Sequence, residues 1–212
     1  MTASLERQLD EGLASLRLGM SEAARAQLLR YLELLQKWNR TYNLTAIREP
    51  GRLVSHHLLD CLTAIPHLPQ GAAVDIGSGG GLPGVPLAIA QPDRLVTLLD
   101  SNHKKGAFLK QAVIECGVRN AEVHVGRAEE WAPATRFDVA VSRAFADLAG
   151  FVDAARALVR PGGVLAAMKG LYPDEELAQL PLGVALQQAM PLTVPGLKAA
   201  RHLILLRLPG GH

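Results

Sequence analysis

The chain is short of several things, and each shortage excludes something. Among 212 residues there are two cysteines, Cys61 and Cys116. They stand too far apart for a CxxC unit, which excludes a thiol metal knuckle, and both read as small core residues. The seven histidines show no ligand spacing with cysteines or acids, so no metal is expected. No run approaches the roughly 18 apolar residues that span a bilayer. The opening "MTASLERQLDEG" is charged and amphipathic, unlike a signal peptide. A soluble cytoplasmic protein with no membrane partner is expected. Excess charge of one sign is also missing. Twenty-two Lys and Arg face 20 Asp and Glu, a net charge of +2. Without a global basic field, a nucleic-acid partner must be met by a local patch.

Apolar residues are plentiful. They make up 49% of the chain against 20% charged, a globular composition. The length suits one large domain, or one domain with a modest extension. Up to about residue 65 the pattern is helical. Leu5, Leu9, Leu13 and Leu16 recur at helix spacing. Gly19 is placed to close that helix and Ser21 to cap the next, which carries Leu28, Leu32, Leu35 and Trp38 on one face. A third segment, "RLVSHHLLDCLTAI", runs from Pro50–Gly51 to Pro66 and Pro69. His57 and Asp60, three apart on it, are placed to pair.

From Ala72 onward short strands alternate with helices. Strands are expected at 72–76, 95–99, 121–125, 137–141 and 164–168, with helices near 85–90, 104–116 and 148–159. Such alternation implies a parallel sheet with helices on both faces. The runs "VALQQAMPLTV" and "RHLILLRL" are joined too tightly for a crossover helix, so the last strand should lie antiparallel. The expectation is a helical segment over 1–69 packing on a core domain over 70–212.

The densest signal is "VDIGSGGGLPGVPLAIA", Val74 to Ala90. Glycine at this density is costly unless a tight backbone is needed. Between a strand and a helix, such a loop marks the ligand crevice of an open parallel sheet. Two registers compete. Gly79, Gly81 and Gly84 fit G-x-G-x-x-G, the dinucleotide spacing of a nicotinamide-dependent oxidoreductase. Asp75, Gly77, Gly79 and Gly81 fit acid-x-G-x-G-x-G, the first motif of S-adenosylmethionine (SAM) methyltransferases. The second explains more, because a carboxylate at Asp75 repels a pyrophosphate but suits the cationic amino end of SAM. Asp100, followed by Ser101, ends the second strand, where an acid accepts ribose hydroxyls. Ala128 and Glu129 in "VGRAEEW" are placed to flank an adenine. After the fourth strand, "VSRAFADL" shows neither an Asn/Asp-Pro-Pro-aromatic motif nor a Pro-Cys nucleophile. Arg143 stands there instead and favours an electron-rich or anionic substrate. A SAM- or RNA-binding module without catalysis is a further alternative.

"WNRTYNLTAI", "HHLLDCL", "DIGSGGGLPGVPLAIA", "LLDSNHKKGAFL", "GRAEEW", "VSRAFADL", "AAMKG" and "ARHLILL" come in an order that resembles the RsmG (GidB) family. The resemblance spans roughly Trp38 to Leu208. It implies a class I SAM-dependent methyltransferase fold, Rossmann-like, with a seven-stranded sheet. It also implies transfer of a methyl group from SAM to N7 of guanine 527, in the 530 loop of 16S rRNA in the small ribosomal subunit. Gly77 and Leu82 then match SAM-loop contacts, Ala128 and Glu129 the adenine-side pair, and Arg143 the arginine after the strand. The family's Glu-Arg-His reads Ala200-Arg201-His202 here, so that glutamate is missing. Guanine N7 has a lone pair and no proton to lose, so the reaction needs alignment rather than a general base, and no catalytic base is assigned. Asp60 or Glu129 is a candidate for stabilising the positive product. RNA phosphates call for Lys and Arg and splayed bases for flat groups. The candidates are Asn43, His57, Lys104, Arg143, Lys169, Arg201 and His202. A monomer is expected.

Overall fold

The computed structural model describes residues 2–143 and 145–210. Helix α1 runs Thr2–Leu16 and α2 Glu22–Tyr42. Ser21 caps α2 by accepting from the Ala24 N–H at 3.2 Å. Gly19 does not close α1. Arg17 takes the left-handed conformation (φ 55°), and the Leu18 N–H returns to the Leu13 carbonyl at 3.0 Å. The third helical segment is not one regular helix. It passes from α3 (Pro50–Leu53) through a π-helical stretch (Val54–Leu59) into α4 (Asp60–Ala64), then a 3-10 turn (Ile65–His67). The π stretch turns successive side chains by less than an α-helix does, which changes the direction in which Asp60 leaves the segment.

Seven strands follow: β1 (Ala73–Ile76), β2 (Val96–Asp100), β3 (Ala121–Val125), β4 (Phe137–Ser142), β5 (Val159–Lys169), β6 (Ala185–Pro191) and β7 (His202–Arg207). Their order is β3-β2-β1-β4-β5-β7-β6. The first five are parallel, and β7 lies antiparallel between β5 and β6. The intervening helices are α5 (Gly84–Ala90), α6 (His103–Glu115), α7 (Leu148–Arg156) and α8 (Asp174–Ala178). This is the expected α/β sheet with one correction. β5 begins at Val159 rather than near residue 164, and α7 ends earlier to match. Pro161-Gly162-Gly163 interrupts the apolar pattern of β5, and its register on β4 shifts between Phe137 and Val139.

Period-two alternation sends the strand side chains to two cores. Ala73, Leu98, Val139, Ala166 and Leu205 face one core, together with Leu5, Leu9, Leu28 and Tyr31 of α1 and α2. Val74, Leu99, Ala140, Leu165 and Leu206 face the other, under Phe151 and Ala155 of α7. Strands covered on both faces read as near-continuous apolar runs, as these do.

Candidate active site

The glycine loop leaves β1 with Gly77, Gly79 and Gly81 all at positive φ (71°, 58° and 83°), where a side chain is strained. Two of the glycines are crowded by the protein itself. A Cβ on Gly84 would lie 2.3 Å from Leu98 Cδ2 and 2.6 Å from Asp75 Oδ2, and one on Gly81 2.7 Å from Val85 Cγ2. Gly79 is open, with only the Gly77 carbonyl nearby at 3.7 Å. Two glycines of the dinucleotide register are thus needed for packing, and its spacing says nothing of a nicotinamide cofactor. Tyr31 of α2 donates its phenol hydrogen to the Gly80 carbonyl, so the N-terminal helices hold the loop from one side. The sequence carried a signal for this: a tyrosine within a leucine stripe must find a partner for its hydroxyl.

Asp75 is fully buried. Its Oδ2 accepts from Ser78 Oγ at 2.6 Å and from the Gly84 N–H at 2.9 Å, while Oδ1 is buried without a partner. Burial raises its pKa to about 6, against the lowering effect of those two hydrogen bonds. Alternation along β1 explains the placement. Ile76 faces the α7 side, so Asp75 faces α5 and α2, beneath the loop. In this conformation it shapes the loop from inside and offers no surface to a ligand.

On the α7 side a cleft of about 300 Å³ opens at the carboxyl ends of β1 and β2. Gly77, Asp100, Ser101, Ala128 and Glu129 line it together, with Lys105, Arg127 and Phe145. These come from the carboxyl ends of four parallel strands, β1 to β4. Asp100 Oδ2 accepts from the Gly79 N–H at 2.8 Å and Oδ1 from the Asn102 N–H at 2.9 Å, which fixes the carboxylate at the rim. Ala128 is buried, and Glu129 is half-exposed beside Arg127 at 3.7 Å. Such a cradle of positive-φ backbone, a fixed acid and a small buried residue suits a nucleoside with a charged tail. Gly79 and Leu82 belong to the same loop but do not line the cleft, and Leu82 is buried.

Past the end of β4, the strand next to β1, Asp60 organises the charge. It is 1% exposed. Its Oδ2 accepts from Arg143 Nη1 at 3.1 Å and its Oδ1 from Arg201 Nε at 2.9 Å. Arg143 Nη1 also donates to the His56 carbonyl at 3.1 Å, and Arg201 Nη1 to the Ala200 carbonyl at 2.8 Å. About a quarter of each arginine side chain remains exposed. Burial opposes the Arg143 charge, but Cys61 and Asp60 beside it hold its pKa above the usual arginine value. The expected His57–Asp60 pair does not form. His57 is 1% exposed; its Nε2 meets Thr45 Oγ1 at 3.2 Å and its Nδ1 the His56 carbonyl at 3.1 Å. Burial, aided by Arg143, lowers its pKa to about 4. It is neutral and enclosed, and has no face for RNA here. Burial pushes the Cys61 thiol up to about 12, so it stays protonated.

The other expected RNA residues are scattered. Lys169 is engaged, donating to the Ala146 carbonyl at 3.0 Å and pairing with Glu176 at 2.8 Å. Glu176 also accepts from the Leu148 N–H at 2.7 Å, so α8 straps the loop after β4. Lys169, an expected RNA residue, is thus engaged within the protein here, and α8 supplies its carboxylate partner. Ala144 of that loop lies outside the described residues. His202 Nδ1 donates to the Gly170 carbonyl at 2.9 Å. Asn43 caps α2 in the left-handed region and accepts from Arg48. Lys104 is exposed on α6. Among the described residues, no group of three or more His, Cys, Asp and Glu is placed to hold a metal ion, and no helix is long and apolar enough to cross a membrane.

The fold and sequence have relatives. The O-methyltransferase TomG from Streptomyces achromogenes, solved in complex with SAM, superposes with a TM-score of 0.57 at 22% identity, over 93% of this chain and 94% of that one. The glycopeptide N-methyltransferase MtfA gives 0.62 at 14% identity, over 73% and 88%. These likenesses establish the class I methyltransferase fold. The ribosomal RNA small subunit methyltransferase G of Laribacter hongkongensis is 54% identical over 205 residues, covering 97% of this chain and 99% of that protein. Its counterpart from Neisseria meningitidis serogroup B is 50% identical over 203 residues, covering 95% and 97%. The family model described as GidB, rRNA small subunit methyltransferase G, matches residues 24–204; the chain belongs to that family.

Proposed function

We propose that the protein methylates N7 of guanine 527 in the 530 loop of 16S rRNA, in the small ribosomal subunit or its assembly intermediate, with SAM as methyl donor. Membership of the family makes it a SAM-dependent rRNA methyltransferase; the atom and position follow from the resemblance. The observation that carries the reading is the cleft where Gly77, Asp100, Ser101, Ala128 and Glu129 meet, with Arg143, just past the neighbouring strand β4, paired on Asp60 with Arg201. SAM supplies an electrophilic methyl group on a sulfonium. The protein's own share is to hold the nucleoside end between Asp100 and Ala128 and the chain end over the Gly77–Gly79 backbone. Asp75 holds that backbone in shape from beneath.

The neighbouring side chains fit a reaction without proton removal. Asp60 is taken up by two guanidiniums, His57 is buried at a hydrogen-bonded position, and Cys61 is a buried thiol. None is poised as a base or nucleophile. N7 needs only alignment with the methyl carbon. Arg143 and Arg201 suit phosphate better than the reacting ring, because guanine becomes cationic as N7 is alkylated.

The test uses small subunits from cells lacking this gene. They are incubated with the protein and SAM, the RNA is digested, and 7-methylguanosine is mapped by mass spectrometry. One new 7-methylguanosine, at 527, is expected. None, with SAM binding verified, overturns the reading.

A further inference from the structure

We propose that Tyr172 is a stacking face for an unpaired base adjacent to the target guanine, held in place by His202. The proposal rests on the RNA reading above. Tyr172 lies in the turn that follows β5, at the same edge of the sheet as Gly77, Asp100 and Arg143. Lys169 of β5 pairs with His202 of β7. By strand order, the end of β5 is two places from β1. At roughly 5 Å per strand, the turn stands about 10 Å along the edge from the glycine loop. That is within reach of a nucleotide next to a guanine presented to the methyl group at the glycine loop.

The turn is built as a fixed platform. The His202 ring donates to the Gly170 carbonyl at 2.9 Å and meets the Tyr172 ring edge-on, 5.6 Å between centroids and 85° between planes. His202 is thus a positioning residue for Tyr172. Yet the turn buries little. Leu171 is 80% and Tyr172 42% exposed, two large apolar side chains in succession beside the charged site. Arg143 and Arg201, tied together by Asp60, each stay about a quarter exposed at the same edge. An exposed aromatic plane beside guanidiniums complements a single-stranded nucleotide: the plane takes the base, the guanidiniums a flanking phosphate. A duplex, with its bases stacked inside, has no use for such a plane.

The experiment compares Tyr172→Ala, Tyr172→Leu and Tyr172→Phe with the unaltered protein, by steady-state methylation of unmodified small subunits. Tyr172 is outside the core, so the variants are expected to fold; SAM dissociation constants verify this. Stacking predicts KM for the particle raised about tenfold in the Ala and Leu variants. The Phe variant should stay within about twofold, and kcat should be preserved in all three. His202→Ala should raise KM in the Tyr172 background but add nothing to Tyr172→Ala. If Leu serves as well as Phe, the face is an apolar contact to a protein and the proposal falls. It falls too if Ala leaves KM unchanged, or if kcat drops while KM does not move. If the unaltered protein does not methylate the particle, the RNA reading fails first, and this one with it.

Discussion

Asp75 and His57 are both buried, and their protonation pulls stability in opposite directions. The Asp75 pKa is raised to about 6, above its unfolded value near 4. Between those values the folded chain holds the extra proton, so acid favours folding. The His57 pKa is lowered to about 4, below its unfolded value near 6.5. In that window the unfolded chain holds the extra proton, so acid favours unfolding. The two slopes nearly cancel between pH 4 and 6. Asp75→Asn keeps an acceptor for Ser78 and Gly84 but removes one slope. The variant should lose about 1.4 kcal/mol more per pH unit than the native protein as pH falls from 6 to 4.5, as measured by urea unfolding. An unchanged difference across that range would show that Asp75 is already ionised in the folded protein. At this scale the sequence was a partial guide. Asp75 and Asp100 stood out by position in their motif. The partners of Asp60 did not, because Arg143 and Arg201 lie 83 and 141 residues away and no local spacing encodes such a contact.

The glycine loop and the helix it opens act as one element. Gly84 of α5 lies directly against β1 and β2, so Gly84→Ala places a methyl against Leu98 and Asp75. Overpacking at such a site costs about 1–3 kcal/mol, and the shift moves the loop. A lower Tm with a raised SAM dissociation constant is expected by thermal denaturation and titration calorimetry; a fall in Tm alone would uncouple the loop's shape from binding. The central strands were legible because both sheet faces are covered there and β1, β2 and β4 read as apolar runs; β3 and β6, at the sheet's two edges, are more exposed and more polar. The segment from Pro50 to His67 was legible only as helical. Its π stretch leaves no mark in a leucine pattern, yet it sets where Asp60 points. α8 was missed because five residues with no buried side chain carry no periodicity.

On the scale of the whole molecule, one apolar cluster runs across the expected boundary between residues 69 and 70. Leucines of α1 and α2 share one apolar cluster with β1, β2 and β4. The Asp60 node adds a polar tie among the π-helical segment, the end of β4 and the start of β7. Asp60→Ala leaves two guanidiniums facing each other. It should cost about 2–3 kcal/mol in denaturant unfolding, less than a fully buried pair because both arginines touch water. Loss of methylation without loss of stability would mean that Asp60 acts on the reaction and not on the frame. The antiparallel placing of β7 also carries a consequence for biosynthesis. The ribosome makes residues 60 and 143 long before residue 201, and β7 must enter a sheet whose other strands have already emerged. A nascent chain can therefore assemble the glycine loop and the cleft while its Asp60 carboxylate still lacks one of its two arginines. The Asp60–Arg201 contact is thus the last part of the Asp60 node to form, and it closes only when the sheet itself is complete.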